Sequence, residues 1–186
     1  MSTNGQRGSV CVYCGSREGT DPRYADAADR TGQAIADADL RLVYGAGDVG
    51  LMGRVARSAQ AAGSDIIGVI PQHLVDLEVG KSDVSRYIIT ETMHERKKVM
   101  FTNADAVLAL PGGPGTLDEL FEVLTWRQLG LHAKPIVLLN VAGYWDGLVE
   151  LIDGSVARGF ADASFRAFLE VETEPEAAVA RILARI

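Results

Sequence analysis

A glycine-rich stretch between an apolar run and a helical pattern holds the residue types with the most recognisable chemistry. Residues 110–119 read Leu-Pro-Gly-Gly-Pro-Gly-Thr-Leu-Asp-Glu and follow the apolar run 106–110. Glycines lack Cβ atoms, so backbone amides can come close to a bound group. The start of the following helix directs free N–H groups and partial positive charge at that group. The stretch therefore predicts a phosphate-binding turn.

Glu119 is the unexpected member of this stretch, because a bound phosphate repels a neighbouring carboxylate. Thr116 and Glu119 fit the capping box Ser/Thr-x-x-Glu, in which Glu119 accepts a hydrogen bond from the Thr116 N–H. Alternatively, Glu119 acts on a part of the ligand away from the phosphate. Capping does not explain the three glycines before Thr116, whereas Pro114 has no N–H and only shapes the turn.

A second charged cluster begins a predicted helix over residues 93–103, and its first six residues read Met-His-Glu-Arg-Lys-Lys. The simplest explanation is a solvated charged face. Cations near a helix N-terminus oppose the helix dipole at a cost of roughly 0.3 kcal/mol or more, which favours a use for them. Arg96 can form a forked pair with a phosphate or a carboxylate. Only the fold can bring Arg96 to the glycine-rich stretch.

Other chemistry has weaker support in the sequence. Residues 45–50 fit the dinucleotide fingerprint G-x-G-x-x-G after a predicted strand, but Asp65, the acidic residue about 20 positions on, begins its strand instead of ending it. A tight turn with close packing explains the glycines equally well. Cys11 and Cys14 form a C-x-x-C pair without a second pair of metal ligands, so we expect buried small residues. The three histidines lack metal-ligand spacing, and no metal is expected.

Strands and helices alternate along the chain. The predicted strands are 9–13, 40–44, 65–70, 87–90, 106–110, 135–140 and 168–171. The predicted helices include 22–38, 93–103, 116–131, 144–158 and 175–186. Most strands are continuous apolar runs, which is typical of a parallel sheet covered on both faces. We therefore predict an α/β fold with a single doubly wound, Rossmann-like parallel sheet, in one domain over 9–186 after a flexible segment 1–8. Ligands of such sheets bind beyond the strand C-termini, where the glycine-rich turns fall.

Composition limits the function classes further. The chain has 186 residues, of which 47% are apolar, and a net charge of −7. The acidic balance disfavours a nucleic-acid or anionic-membrane surface. No run approaches the roughly 18 apolar residues of a membrane span, and the N-terminus lacks an apolar signal core. We expect a cytoplasmic protein with neither a nucleic-acid partner nor a membrane.

The two motifs together resemble the LONELY GUY (LOG) family of cytokinin-activating phosphoribohydrolases, long mislabelled as lysine decarboxylases. Residues 111–119 match P-G-G-x-G-T-x-x-E, and residues 93–97 match M-x-x-R-K. Further agreement lies at residues 14–17, 50–53, 125–130 and 139–140. The chain departs from the family at Pro114, where an aromatic or aliphatic residue is common, and at residues 45–47, which are Gly-Ala-Gly instead of three glycines.

The resemblance implies a homodimer that hydrolyses an N6-substituted adenosine 5′-monophosphate to the free adenine derivative and ribose 5-phosphate, without a cofactor. It implies a catalytic pair, Arg96 and Glu119. It also implies substrate contacts from Glu78, Lys97, Gly112, Gly113, Pro114, Gly115, Thr116, Leu117, Asp118 and Thr125.

The chemistry of this reaction gives Glu119 a role. Cleavage of an N-glycosidic bond builds positive charge on the ribose, which a fixed carboxylate stabilises while it orients or deprotonates water. Arg96 does not release a proton at neutral pH, so we expect it to orient Glu119 or the substrate. Three alternatives stay open: a nucleotide-binding module without catalysis, a pyridoxal phosphate-dependent decarboxylase, and a hydrolase of plain AMP.

Overall fold

The computed structural model describes residues 7–75 and 80–186, and within them strands and helices alternate as predicted. The strands are β1 (Gly8–Tyr13), β2 (Leu40–Tyr44), β3 (Ile66–Pro71), β4 (Arg86–Thr90), β5 (Ala106–Ala109), β6 (Ile136–Leu139) and β7 (Leu169–Glu172). The helices are α1 (Pro22–Asp37), α2 (Gly50–Ala61), α3 (Gln72–Val75), α4 (Met93–Thr102), α5 (Pro114–Gln128), α6 (Asp146–Ala157), α7 (Ala163–Arg166) and α8 (Pro175–Leu183), with a 3-10 turn over Val141–Gly143. The predicted flexible segment 1–8 lies mostly outside the described residues.

These strands form one parallel sheet in the order β4-β3-β2-β1-β5-β6-β7. Val10 of β1 aligns with Leu42 of β2 on one side and with Ala106 of β5 on the other. The chain thus builds outward from β1 in one direction and returns to its other side for β5. The C-terminal ends of β1 and β5 therefore flank the crevice in which such sheets bind ligands.

Both faces of the sheet are covered by helices, which explains the continuous apolar strands and confirms the predicted fold class. Val10 and Val12 of β1 pack in a core with α1, α2 and α8. Cys11 and Tyr13 point to the opposite face and pack with α4, α5, α6 and α7. Cys11 and Cys14 are free and buried, and burial raises the pKa of both thiols, so the structural interpretation of this pair is correct.

The observed helix bounds differ from the predicted ones by up to three residues, and two of the differences have a clear physical reason. α5 begins at Pro114, two residues before the predicted start, because proline fits the first helical position, where its missing N–H leaves no helix bond unmade. α7 is not predicted, because its four residues are too few to show a helical period. Within residues 7–75 and 80–186, no helix is both long and apolar enough to cross a membrane.

Candidate active site

The N-terminus of α5 offers backbone amides to open space. Gly113 is the N-cap of this helix, and its carbonyl accepts a 3.1 Å hydrogen bond from the N–H of Leu117. The N–H groups of Gly115 and Thr116 come before that bond, so the helix supplies no partner for them. Apart from the neighbouring backbone, a Cβ added at Gly113 or Gly115 meets no atom of residues 7–75 and 80–186 within 4 Å. This stretch, 113–116, is the anion cradle, and it has the geometry expected of a phosphate site.

Gly112 has a different role, because it is a packing position. A Cβ on Gly112 would lie 2.1 Å from Thr116 Oγ1 and 2.8 Å from the backbone nitrogen of Gly15. The Gly15 N–H in turn donates a 3.0 Å hydrogen bond to the carbonyl of Pro111. The loop after β1 therefore packs against the glycine-rich stretch and is hydrogen-bonded to it.

Glu119 is the sixth residue of α5 and lies on the same helix face as Gly115 and Thr116, since residues three and four apart share a face. The N-cap position belongs to Gly113, and no side chain caps the helix. The capping alternative for Thr116 and Glu119 is therefore wrong. The carboxylate is free to act on a ligand.

A capping box does occur at the start of α4. The Glu95 N–H donates to Thr92 Oγ1 at 3.2 Å, and the Thr92 N–H donates to Glu95 Oε2 at 3.1 Å. This acid in the first turn offsets the unfavourable cations that follow it. The charged cluster is thus compatible with a stable helix start, and Arg96 does not lie on a solvated face.

Arg96 is 5% exposed and is held by two backbone carbonyls at the ends of neighbouring strands. Its Nε donates to the Val69 carbonyl at 3.1 Å, and its Nη2 donates to the Gly45 carbonyl at 2.7 Å. The third nitrogen, Nη1, lies 3.9 Å from Met93 Sδ. Two nitrogens fix the guanidinium, and Nη1 is left on the side of the cavity that Met93 lines.

Packing explains two of the three glycines in the second glycine-rich turn. A Cβ on Gly45 would lie 2.1 Å from Arg96 Nη2, and a Cβ on Gly50 would lie 2.2 Å from the backbone of Ser16. Gly50 also has a positive φ of 60°, which favours glycine. Close approach of protein atoms therefore accounts for Gly45 and Gly50.

Arg96, Glu119 and the anion cradle line one cavity of about 250 Å³, the site cavity. Asp118 also lines it. Met93, the first residue of the second motif, also lines the cavity, and its other walls lie outside the two motifs and come from Cys14, Gly15, Ser16, Met52 and Leu74. Their common signal is position, because most of them follow a strand or begin a helix at the C-terminal edge of the sheet. A larger cavity of about 520 Å³ lies across Gly113 and Pro114, but Glu119 does not line it.

The electrostatic surroundings raise the pKa of Glu119 from 4.5 to about 7. Burial is the main cause, and the charges of Asp118 and Glu122 add to it, whereas Arg96 and Lys97 act in the opposite direction. Glu119 keeps some accessible surface because it forms part of the cavity wall, but protein atoms surround its carboxyl group. A group with this pKa exchanges protons readily at neutral pH.

Lys97 is buried beside the site cavity and is paired with two carboxylates of α5. Its Nζ lies 2.9 Å from Asp118 Oδ2 and 3.2 Å from Glu122 Oε1. Desolvation alone would lower the pKa of Lys97, but the two carboxylates raise it above its ordinary value. Lys97 therefore stays charged and joins α4 to α5 close to Glu119.

Four described residues implied as substrate contacts do not line the site cavity: Lys97, Gly112, Leu117 and Thr125. Leu117 and Thr125 line a separate open groove along α5, the α5 groove, which shares Asp118 with the site cavity. The Thr125 hydroxyl donates to the Phe121 carbonyl at 2.7 Å. Glu78 lies outside the described residues.

Comparisons with known proteins show which family and which fold the chain resembles. Residues 52–182 match a family model described as possible lysine decarboxylase. The chain is 46% identical to a probable cytokinin riboside 5′-monophosphate phosphoribohydrolase of Oryza sativa subsp. japonica, over 87% of this chain and 73% of that protein. It is 43% identical to a cytokinin riboside 5′-monophosphate phosphoribohydrolase of Arabidopsis thaliana, over 84% of this chain and 74% of that protein. Its fold is similar to that of the molybdenum cofactor binding protein of Rippkaea orientalis, with a TM-score of 0.74 and 22% identity over 98% of this chain and 99% of that chain.

Proposed function

The chain belongs to the LONELY GUY family of cytokinin riboside 5′-monophosphate phosphoribohydrolases, and from this premise we propose that it hydrolyses N6-substituted adenosine 5′-monophosphates. Water cleaves the bond between the base and the ribose. The products are the free adenine derivative and ribose 5-phosphate.

One observation carries the proposal: a carboxylate with a raised pKa lines the same cavity as a helix N-terminus with open glycines. The N–H groups of Gly113, Gly115 and Thr116 bind the 5′-phosphate. Glu119 is about one helical turn further along α5, roughly 5 Å along the axis, so it addresses the ribose instead of the phosphate. Binding of the unreactive phosphate thereby aligns the reacting carbon with the catalytic carboxylate.

Glu119 acts on the ribose and on water. As the bond between C1′ and the base nitrogen breaks, its electron pair moves to the base and positive charge builds on the ribose ring. The ionised Glu119 stabilises that charge and accepts a proton from the water whose oxygen bonds to C1′. The departing base takes a proton from solvent and Glu119 returns its proton to solvent, so the net reaction consumes one water and needs no other reactant.

Arg96 supports this step as a fixed cation. A guanidinium does not release its proton at neutral pH, so it is not the acid that protonates the base. The carbonyls of Gly45 and Val69 hold its fork in one orientation. Its charge favours the ionised form of Glu119, which is the form that the mechanism requires.

The description of the family model as a lysine decarboxylase fits the residues poorly. That chemistry needs a lysine that forms a Schiff base with pyridoxal phosphate. In the described part of the chain, no lysine lines the site cavity. Lys97 is paired with Asp118 and Glu122, and Lys134 donates to the carbonyls of Phe101 and Ala104. We therefore favour the hydrolase over the decarboxylase.

A homodimer is part of the proposal. Leu129 and Leu131, just beyond the end of α5, are 68% and 69% exposed. The residues that line the α5 groove come shortly before them in the chain. Thr125 does not line the site cavity of its own chain. A second copy packed on this face would bury the two leucines. Light scattering of the purified protein tests this, and a monomer at micromolar concentration would contradict it.

The activity is tested by incubation of the protein with AMP, with isopentenyladenosine 5′-monophosphate and with isopentenyladenosine. Chromatography of the free base and an assay for ribose 5-phosphate follow the reaction. We expect base from the isopentenyl nucleotide and not from the nucleoside, because the nucleoside lacks the phosphate that the cradle binds. Release of adenine from AMP, without release of base from the isopentenyl nucleotide, would show that plain AMP is the substrate. No release from any substrate would favour the non-catalytic binding module.

A further inference from the structure

The turn after β6 has an unusual backbone and is held in place by one side chain. Ala142 and Gly143 have φ values of 56° and 75°, and the left-handed conformation is unfavourable for alanine. Asn140 stabilises the turn, because its Oδ1 accepts the Trp145 N–H at 2.7 Å and its Nδ2 donates to Asp146 at 2.7 Å. The turn therefore presents Tyr144 in a defined direction.

Tyr144 lies between two aromatic rings and reaches the glycine-rich stretch. Its ring makes edge-to-face contacts with Tyr24 at 5.7 Å and with Trp145 at 4.8 Å between centroids. Its hydroxyl donates a 2.5 Å hydrogen bond to the carbonyl oxygen of Gly112. The residue is 40% exposed at the wall of the larger cavity, so its hydroxyl is not needed to fill the core.

This hydrogen bond determines the orientation of the peptide group that opens the anion cradle. In a trans peptide the carbonyl and the N–H point in opposite directions. When Tyr144 holds the Gly112 carbonyl, the N–H of Gly113 must point away from Tyr144. The preceding carbonyl, of Pro111, is held in the same manner by the Gly15 N–H. Both carbonyls are thus engaged by protein donors, and neither is free to turn toward a bound anion and repel it.

We propose that Tyr144 is a positioning residue for the anion cradle, which orders the Gly112–Gly113 peptide for the phosphate of the substrate. The proposal rests on the proposed function and adds a residue that neither motif contains. Without the hydroxyl, the peptide between two glycines rotates easily, since neither residue has a Cβ to restrict it. Binding of a phosphate must then restrict that rotation.

The test is Tyr144→Phe, which keeps the ring and its two aromatic contacts. We expect the KM for the nucleotide to rise about three- to tenfold, as for the loss of one hydrogen bond, with kcat nearly unchanged. Inhibition by ribose 5-phosphate should weaken by the same factor, whereas inhibition by the free base should not change. Tyr24→Phe, which removes a hydroxyl from the neighbouring ring, should leave all three values unchanged.

A measurement on the ligand-free protein separates positioning from direct contact with the phosphate. The carbonyl carbon of Gly112 should change its NMR chemical shift in Tyr144→Phe before any ligand is added. An unchanged shift, or equal losses of affinity for ribose 5-phosphate and for the free base, would overturn the proposal. If the wild-type protein releases no base, the proposed function fails, and the NMR shift together with ribose 5-phosphate binding still decides the role of Tyr144.

Discussion

Arg96 Nη2 donates a 2.7 Å hydrogen bond to the carbonyl oxygen of Gly45 and lies in the space that a side chain on residue 45 would occupy. The two residues are 51 positions apart in the chain. The absence of a side chain at Gly45 therefore allows the Arg96 guanidinium to occupy its fixed position in the site. This relationship also explains the first glycine of the turn after β2.

Gly45→Ala should reproduce the effect of Arg96→Ala. The added Cβ would lie 2.1 Å from Nη2, so the guanidinium must leave its position. We expect kcat to fall by roughly 10- to 100-fold in either variant, and the double variant should be no worse than Arg96→Ala, because the two changes remove one interaction. Steady-state kinetics of the three variants measure this. Gly147→Ala, in open space within α6, is the matched control and should keep full activity. Additive losses in the double variant would contradict the relationship.

Two glycines of the same stretch should respond to alanine in opposite ways. Gly115 lies in the first turn of α5. Among the described residues, only neighbouring backbone lies within 4 Å of the position that a Cβ would take, so Gly115→Ala should keep or slightly raise the Tm. The methyl group would occupy the anion cradle, so the KM for the nucleotide should rise at least about tenfold. Gly112→Ala would place a Cβ 2.1 Å from Thr116 Oγ1 and should lower the Tm. Thermal melts and kinetics of both variants test the contrast. An equal decrease in Tm in the two variants would show that Gly115 is also required for packing.

The activity should depend on the ionisation of Glu119. The pKa of this carboxyl is raised to about 7, mainly by burial, and the mechanism uses the ionised form. The kcat/KM should therefore rise with pH up to about 7 and then level off. Glu119→Gln should be about 100-fold or more slower, without this pH dependence, while it still binds nucleotide. A pH–rate profile of both proteins tests this. A profile that stays flat from pH 5 to 9 in the wild type would assign the rate-limiting chemistry to another group.

Glu119 should also lower the stability of the fold above neutral pH. Its pKa in the folded state lies above the ordinary value of 4.5, so the folded protein binds this proton more tightly than the unfolded chain does. Stability is therefore lost as the pH rises from about 4.5 to about 7. Glu119→Gln should be more stable than the wild type at pH 8, by of the order of 2 kcal/mol, and the difference should shrink toward pH 4.5. Denaturant unfolding at both pH values measures this, and a less stable variant at pH 8 would show a structural role for the carboxylate.

Lys97 should set the pH at which Glu119 ionises. Its ammonium lies within 3.2 Å of carboxylate oxygens of Asp118 and Glu122, and its charge lowers the pKa of Glu119. Lys97→Met removes that charge and leaves the two carboxylates unpaired, so the midpoint of the pH–rate profile should move upward. Lys97→Arg keeps the charge and should move it less. Identical midpoints in the wild type and the methionine variant would show that the charge of Lys97 does not affect the ionisation of Glu119.

The chain sequence determines the parts of the site that are local. Strand, glycine-rich turn and helix follow one another within 106–128, so the amides of the anion cradle and the carboxylate of Glu119 share a helix face by spacing alone. Alternating apolar strands and helices likewise determine the doubly wound sheet, because every strand must bury both faces. The resemblance to a family rests on these local patterns.

Tertiary structure decides what local spacing leaves open. Because α5 begins at Pro114, Glu119 does not cap the helix and instead lines the cavity. This position depends on how α5 packs against the sheet. Arg96 lines the same cavity as Glu119 because β3 and the turn after β2 supply the carbonyls that hold it, and Tyr144 reaches Gly112 because β6 lies next to β5. The raised pKa of Glu119 is also a tertiary property, since burial in the folded protein is its main cause. Contacts between segments that are distant in sequence leave no periodic pattern, so they could not be predicted from the sequence patterns.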